Sequence, residues 1–314
     1  MEHVEPLVAA KVSRRHIWVH LLLYPGHTLP TAAAPVLVAG GLAVHDGVFA
    51  PWPLFLAFVG SWLIHVAGVF ADNHELLRRH GDLPEHPELC AALADGSLRL
   101  SSLRWTIAAC LLLATLAGIE PVRLGGWPAF ALGVLGVAAS LGYAAGPAYA
   151  RRGLADPLFF VMFGVVAVVG CYGVQVAATR PETFAWAALP WSAWVLGMPV
   201  GCLVVAVMVI DDIRDRGWDA QKGWRTPAVR FGLVGARRLF TALLALAYAA
   251  PLLYWLALGR SPWVMATWAT LPLARHVLRA VLRHDTTREL LPMSPRTSLL
   301  SLLYAALLAV GLAG

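Results

Sequence analysis

Charged side chains are scarce. Asp, Glu, Lys and Arg together make up 13% of the sequence, about half of what water-soluble domains carry. Hydrophobic residues fill 59% of the 314 positions, and mean hydropathy is +0.68. Such a chain cannot cover itself with polar groups, which excludes an ordinary soluble domain. Cysteine is nearly absent too. Cys90, Cys110, Cys171 and Cys202 form no CxxC and no paired spacing, which excludes a disulfide framework or a thiolate metal site. No short apolar core with a small-residue cleavage site follows "MEHVEPLVAAKVSRRHIWVH"; the run there is too long for a signal peptide and is expected to be a retained span. No internal repeat of the halves is visible. The net charge of +6 does not imply a nucleic-acid partner, because in a membrane protein the placement of basic residues matters more than their sum.

What the sequence has is long apolar runs. A hydrocarbon core about 30 Å thick needs roughly 20 residues of helix. About nine such runs lie near residues 17–44, 48–71, 102–119, 127–146, 157–178, 188–210, 235–257, 262–282 and 297–314. The expected architecture is a single all-α membrane domain over residues 1–314, a bundle of about nine helices. Pro25, Pro30 and Pro35 break the first run, so a kink is expected there. If the spans alternate, most Lys and Arg residues fall on one side, from Lys11, Arg14 and Arg15 to Arg288 and Arg296. Only Arg123, Arg180 and Arg260 fall on the other. By the positive-inside rule the first side is cytoplasmic. Residues 1–16 are then a cytoplasmic segment of a protein in the cell's inner membrane, 72–101 and 211–234 are cytoplasmic active-site loops, and the C-terminus is outside. Thirteen tryptophans, Trp52, Trp127, Trp186, Trp191 and Trp263 among them, lie mostly near span ends and are expected in interfacial belts.

The charge that does occur is concentrated. In "VIDDIRDRGWDAQKGWRTPAVRFG", Val209 to Gly232, Asp212, Asp215 and Asp219 are spaced by three and four, and Asp211 precedes Asp215 by four. On a helix they share a face. Acids this close repel one another and resist ionising. A divalent cation removes the conflict, and Mg²⁺ favours a couple of carboxylates, waters and phosphate oxygens. Lys222, Arg225 and Arg230 follow at once and suit an anionic ligand. The bland alternative is a solvated loop with internal ion pairs. A second cluster, "FADNHELLRRHGD" from Phe70 to Asp82, sets Asp72, Glu75 and Asp82 on one side at the end of the second span, with Arg78 and Arg79 beside them. Two acidic patches on one side of the membrane point to a site between them. His65 and His74 near the first cluster read as structural, since Mg²⁺ prefers oxygen.

The two clusters resemble the facing aspartate-rich motifs of the UbiA superfamily of intramembrane prenyltransferases, and the whole chain is similar to its 1,4-dihydroxy-2-naphthoate polyprenyltransferase branch. "HTLPTAAAPVLVAG" (His27 to Gly40), "RRGLADPLFFVMFGVVAVVGCYGVQ" (Arg151 to Gln175), "DDIRDRGWDAQKGWRTPAVRFG" and "MSPRT" (Met293 to Thr297) carry the likeness in order along the chain. The resemblance implies a nine-helix bundle. It implies catalytic acids at Asp72, Glu75, Asp212, Asp215 and Asp219, with Mg²⁺ held by Asp72, Glu75, Asp211, Asp215 and Asp219. It implies substrate contacts from Lys222, Arg225, Arg78, Arg79, Arg151, Tyr143 and Asn73. The sequence departs from the pattern at Ala71, Arg79 and Trp224, and at Gly26 before the "TLP" stretch. Asp156 stands where the branch has a glutamate.

The reaction implied is transfer of a prenyl group from an allylic polyprenyl diphosphate to an aromatic acceptor, with the naphthoate losing its carboxylate. Tyr143, Phe159, Phe163 and Tyr172 are candidate aromatic faces for a developing allylic cation. Partners are then these two substrates and membrane lipid. Four alternatives stay open: a terpene cyclase of the same superfamily, a prenyltransferase acting on another aromatic acceptor, a non-catalytic isoprenoid- or quinone-binding protein, and an ion-coupled carrier. Acids at one membrane face, not at the midplane, weigh against the carrier.

Overall fold

The computed structural model describes residue 18 and residues 29–80 and 87–314. Lys11, Arg14, Arg15, Pro25, Gly26, His27 and Asp82 lie outside the described residues, as does most of the first expected run before Leu29. Among the described residues every regular element is helical. In lipid a helix satisfies its own backbone polar groups, which an open strand cannot. The elements are α1 (Leu29–His45), α2 (Pro51–Arg79), a short α3 (Pro87–Ala94), α4 (Leu100–Gly142), α5 (Ala155–Thr179), α6 (Ser192–Gln221) and α7 (Pro227–Leu258). A 3₁₀ segment (Pro262–Thr270) then runs into α8 (Leu271–Arg283), and α9 (Met293–Ala313) closes the chain. Six of these, α2, α4, α5, α6, α7 and α9 with the turn before it, are long and apolar enough to cross a membrane.

Helix α4 is 43 residues long. Straight, it would extend about 64 Å, twice the hydrocarbon thickness. It is broken at Gly126, whose φ of 66° and ψ of −153° no helix accommodates; only glycine adopts that region freely. Both halves then meet α2 at one level. Ala114 and Ala117 lie against Gly60, while Ser140 donates its hydroxyl to the Ile64 carbonyl at 2.8 Å. The chain therefore doubles back at Gly126.

Helix α6 is the most enclosed: 78% of its apolar window is buried, packed among α5, α7 and α9. Where it meets α5 the backbones come close. A Cβ added to Gly201 would stand 2.8 Å from the Phe160 carbonyl oxygen and 3.0 Å from Gly164 Cα. Small residues are how membrane helices approach this closely. Opposite Gly201, α5 carries a π-helical stretch, Met162–Val166, of the kind that often marks functional sites.

The stretches expected as loops are largely helical. Residues 72–79 finish α2, Pro87–Ala94 form α3, 211–221 finish α6, and Pro227 opens α7. Arg–carboxylate pairs at helical spacing support this. Arg78 and Arg79 grip Glu75, and Arg214 grips Asp211, the pairing that stabilises helix termini in water. The acids are thus fixed on rigid elements.

Candidate active site

The ends of α2 and α6 face each other across a cavity of about 260 Å³. Asp72 and Asn73 line it from α2. Asp211, Asp212, Asp215 and Asp219 line it from α6, with Tyr143, Asp156 and Arg214 completing the polar wall. Three- and four-residue spacing puts the α6 acids on one helix face, and the structure turns that face inward.

The acids differ in what holds them. Arg214 donates to Asp215 at 3.0 and 2.8 Å and to Asp211 at 2.6 Å. Asp211 also accepts from the Ser294 hydroxyl at 2.6 Å, which ties α9 to the site. Asp219, buried, accepts from Thr226 at 3.1 Å. Asn73 donates to the Val69 carbonyl at 3.1 Å. One carboxylate oxygen each of Asp212 and Asp156 is buried with no hydrogen-bond partner among the described residues. Leaving such a group unpaired costs about 1–3 kcal/mol, more when charged, so both oxygens are poised for a ligand. Among the described residues no three His, Cys, Asp or Glu side chains converge closely enough to hold an ion unaided.

Other expected residues lie outside the lining of this cavity. Glu75 is buried, but Arg78 holds it at 3.0 and 2.8 Å, Arg79 pairs with it and Arg151 stands 3.9 Å away. Its carboxylate is saturated by guanidinium groups, which turns it from the acids of α6. Lys222 lies over the Trp218 ring at 5.5 Å, and the Arg225 side chain is exposed. What Arg225 contributes is backbone: its N–H donates to the Arg151 carbonyl at 2.8 Å. At that clasp Gly153 has a φ of 69°, and the Arg225 carbonyl fills the space a Cβ would need; only glycine fits. The clasp seats Arg151 over Trp224, 5.7 Å from its ring centre. Arg151 donates to the Ala144 carbonyl at 3.1 Å.

Sequence reasoning gave no role to Arg214, Trp218, Thr226 or Ser294. For Arg214 the signal was present, since it stands three after Asp211 and next to Asp215. Ser294 comes from another helix, and the "MSPRT" stretch that holds it was singled out without a role for this residue.

A second cavity, about 700 Å³ and almost wholly apolar, lies between α2, both halves of α4 and α5. His65, Ser140 and Phe159 line both cavities, so the two abut at these residues, the waist between them. A series of rings runs past it. Tyr149 packs edge-on to Tyr143 at 5.8 Å, Tyr143 to Phe159 at 5.6 Å, Phe159 stacks on Phe163 at 5.4 Å, and His65 meets Phe163 at 5.9 Å. Burial, reinforced by the facing carboxylates Asp72 and Asp212, pushes the Tyr143 phenol well above its ordinary range. It stays neutral and able to donate. Tyr172 lines neither cavity; its hydroxyl donates to Asp46 at 2.6 Å.

A carboxylate-lined chamber beside an apolar one suits an amphiphile whose anionic head is carried by a divalent cation. The model of the UbiA prenyltransferase family matches residues 32–300. The chain belongs to that family. This prenyltransferase is 27% identical to the 1,4-dihydroxy-2-naphthoate octaprenyltransferase of Escherichia coli (strain K12), over 96% of each chain. It is 30% identical to the enzyme of the same name from Mycobacterium tuberculosis (strain ATCC 25618 / H37Rv), over 91% of this chain and 94% of that one. The apo structure of a UbiA homolog from Aeropyrum pernix K1 matches with a TM-score of 0.67 at 19% identity, covering 91% of this chain and 96% of that one. The fold is therefore shared, and the prenyltransferase is an integral membrane protein.

Proposed function

We propose that this prenyltransferase moves a polyprenyl group from an allylic polyprenyl diphosphate to 1,4-dihydroxy-2-naphthoate, the acceptor in the names of its relatives, as a step of menaquinone synthesis. The junction of an acidic chamber with an apolar one at His65, Ser140 and Phe159 carries the reading. The diphosphate occupies the first chamber and the tail the second, which brings the scissile C–O bond to the waist.

The donor set suits Mg²⁺. This ion keeps one or two carboxylates and fills its remaining positions with water and substrate phosphate oxygens, so an open arrangement without a preformed cage is what it takes. The carboxylates that would supply those one or two contacts are Asp72 on one side and Asp211, Asp215 and Asp219 on the other. Bound there, Mg²⁺ neutralises charge building on the departing diphosphate. Arg214 faces the same chamber and adds fixed positive charge at the same place. As the C–O bond breaks, Tyr143, Phe159 and Phe163 offer ring faces to the allylic cation, and the bundle keeps water from it. Attack by the naphthalene ring forms the new C–C bond, the ring's carboxylate leaves as CO₂, and diphosphate is released. Tyr143, held neutral, donates to an acceptor or diphosphate oxygen.

Nine membrane crossings follow if α4 counts as two and α1 and the Pro262–Arg283 segment each cross. The N-terminus and the acidic chamber then face the cytoplasm, and the membrane is the cell's inner one.

The test uses purified protein in nanodiscs with Mg²⁺, the naphthoate and donors of four to eight isoprene units. Demethylmenaquinol, collected as the quinone after oxidation in air, and diphosphate are expected by mass spectrometry. EDTA should abolish both, and Asp212→Asn, which removes charge at the unpaired oxygen, should lower kcat/KM about 10²-fold. A cyclic hydrocarbon formed without acceptor, or no diphosphate release from a folded sample, would replace this reading.

A further inference from the structure

The apolar cavity has a floor. Trp186, in the 3₁₀ turn between α5 and α6, lines its far end. The sequence groups Trp186 with tryptophans of the interfacial belt, but the structure wedges it between two helices. Its indole N–H donates to the Gly125 carbonyl at 2.8 Å, and Phe184 packs edge-on at 5.4 Å. Two glycines make room for it. A Cβ at Gly173 would meet the six-membered ring 2.5 Å away, and one at Gly125 would come within 3.0 Å of it. Trp52, Trp127, Trp191 and Trp263 are by contrast strongly exposed.

We infer that Trp186 is the residue that sets the length of prenyl donor this chain prefers, at about four isoprene units; the inference rests on the prenyl-transfer reading of the site. Helix α5 runs from Phe159 at the waist to Gly173 beside the indole, which is roughly 21 Å at 1.5 Å per residue. A five-carbon unit adds four chain bonds of ~1.5 Å and spans about 5 Å when extended. Four units therefore reach the indole. Eight would need about 40 Å and would have to bend or leave sideways past Ile119 and Phe130, which line the cavity and are partly exposed. Gly170 lines the same cavity one turn nearer the waist, and a Cβ there would meet only Leu132, at 3.5 Å. It is the position at which the cavity shortens by about one unit.

Donors of two to eight units supply the experiment, competed against one another for turnover. Separately, prenyl thiolodiphosphates of the same lengths are scored by the rise in melting temperature, a readout that needs no chemistry. The wild type should prefer four units, with thermal stabilisation levelling off there. Trp186→Ala should raise the ratio of kcat/KM for eight units over four by at least about tenfold, within the range a hydrophobic pocket discriminates. Trp186→Phe, which keeps the ring, should retain the wild-type preference. Gly170→Leu should move both optima one unit shorter. Unchanged preferences in Trp186→Ala and Gly170→Leu would overturn the inference and mean that tails leave sideways. Length-dependent binding without turnover would sink the transfer reading and leave the floor in place. Turnover with length-blind binding would do the reverse.

Discussion

Arg214 and Arg225 bring the same charge to the end of α6, and only the first reaches the chamber. Arg214 spans Asp211 and Asp215; Arg225 uses its backbone to hold Arg151 and leaves its side chain in solvent. Arg214→Ala is therefore expected to lower kcat/KM by about 10²–10³-fold, the loss that follows removal of a preorganised group facing developing charge. Arg225→Ala should cost less than about tenfold, since surface charges contribute little. Steady-state kinetics on the two variants, beside their melting temperatures, decides it; equal losses would put both residues on substrate. The carboxylate stripe of α6 was legible because Asp212, Asp215 and Asp219 keep helical spacing. Glu75 shows the limit. It has the same spacing from Asp72, but spacing does not reveal that Arg78, Arg79 and Arg151 saturate its carboxylate.

Among the elements, the apolar runs at 102–119 and 127–146 were readable as two spans, and the reversal at Gly126 agrees with them. The π stretch at Met162–Val166 was not readable, because no composition marks it; it depends on α5 yielding to the backbone of α6 at Gly164 and Gly201. That contact should be intolerant of volume. Gly201→Leu must displace the Phe160 carbonyl and Gly164, and overpacking of this kind costs typically 1–3 kcal/mol. At Gly118 an added Cβ meets nothing within 4 Å, and Gly118→Leu should be neutral or slightly stabilising, since leucine is the better helix former. Thermal unfolding in detergent should show a lower midpoint for the first only. A similar drop in both would mean that the α5–α6 contact is looser than its geometry.

For the whole molecule, the nine-crossing topology proposed above makes a prediction of its own. With nine crossings, Lys222 and Arg288 share a side, and Glu182 and Gly314 lie on the other. Cysteines introduced at these four positions, in a variant lacking the native four, should divide two and two in their reaction with a membrane-impermeant maleimide on intact cells. Glu182 and Gly314 should label, and the other two should label only after lysis. Labelling of Arg288 and Gly314 together from outside would remove two crossings from the count. The expectation itself comes from the arginines, because the bilayer imposes a simple rule on them. The sequence could not show that the two chambers adjoin, since His65, Ser140 and Phe159 come from three helices with no pattern linking them.

That adjacency has a consequence for how the enzyme exchanges material with its surroundings. Everything on one side of the waist is soluble in water, and everything on the other is soluble in hydrocarbon. In the proposed reaction the diphosphate enters anchored to a tail and departs without one, while the ring enters as a water-soluble acid and departs carrying the tail. Each turnover moves one molecule from water into oil and releases another from oil into water, with no body of solvent crossing the constriction. In the terms of synthetic chemistry, the protein is a phase-transfer catalyst whose phase boundary is three side chains wide.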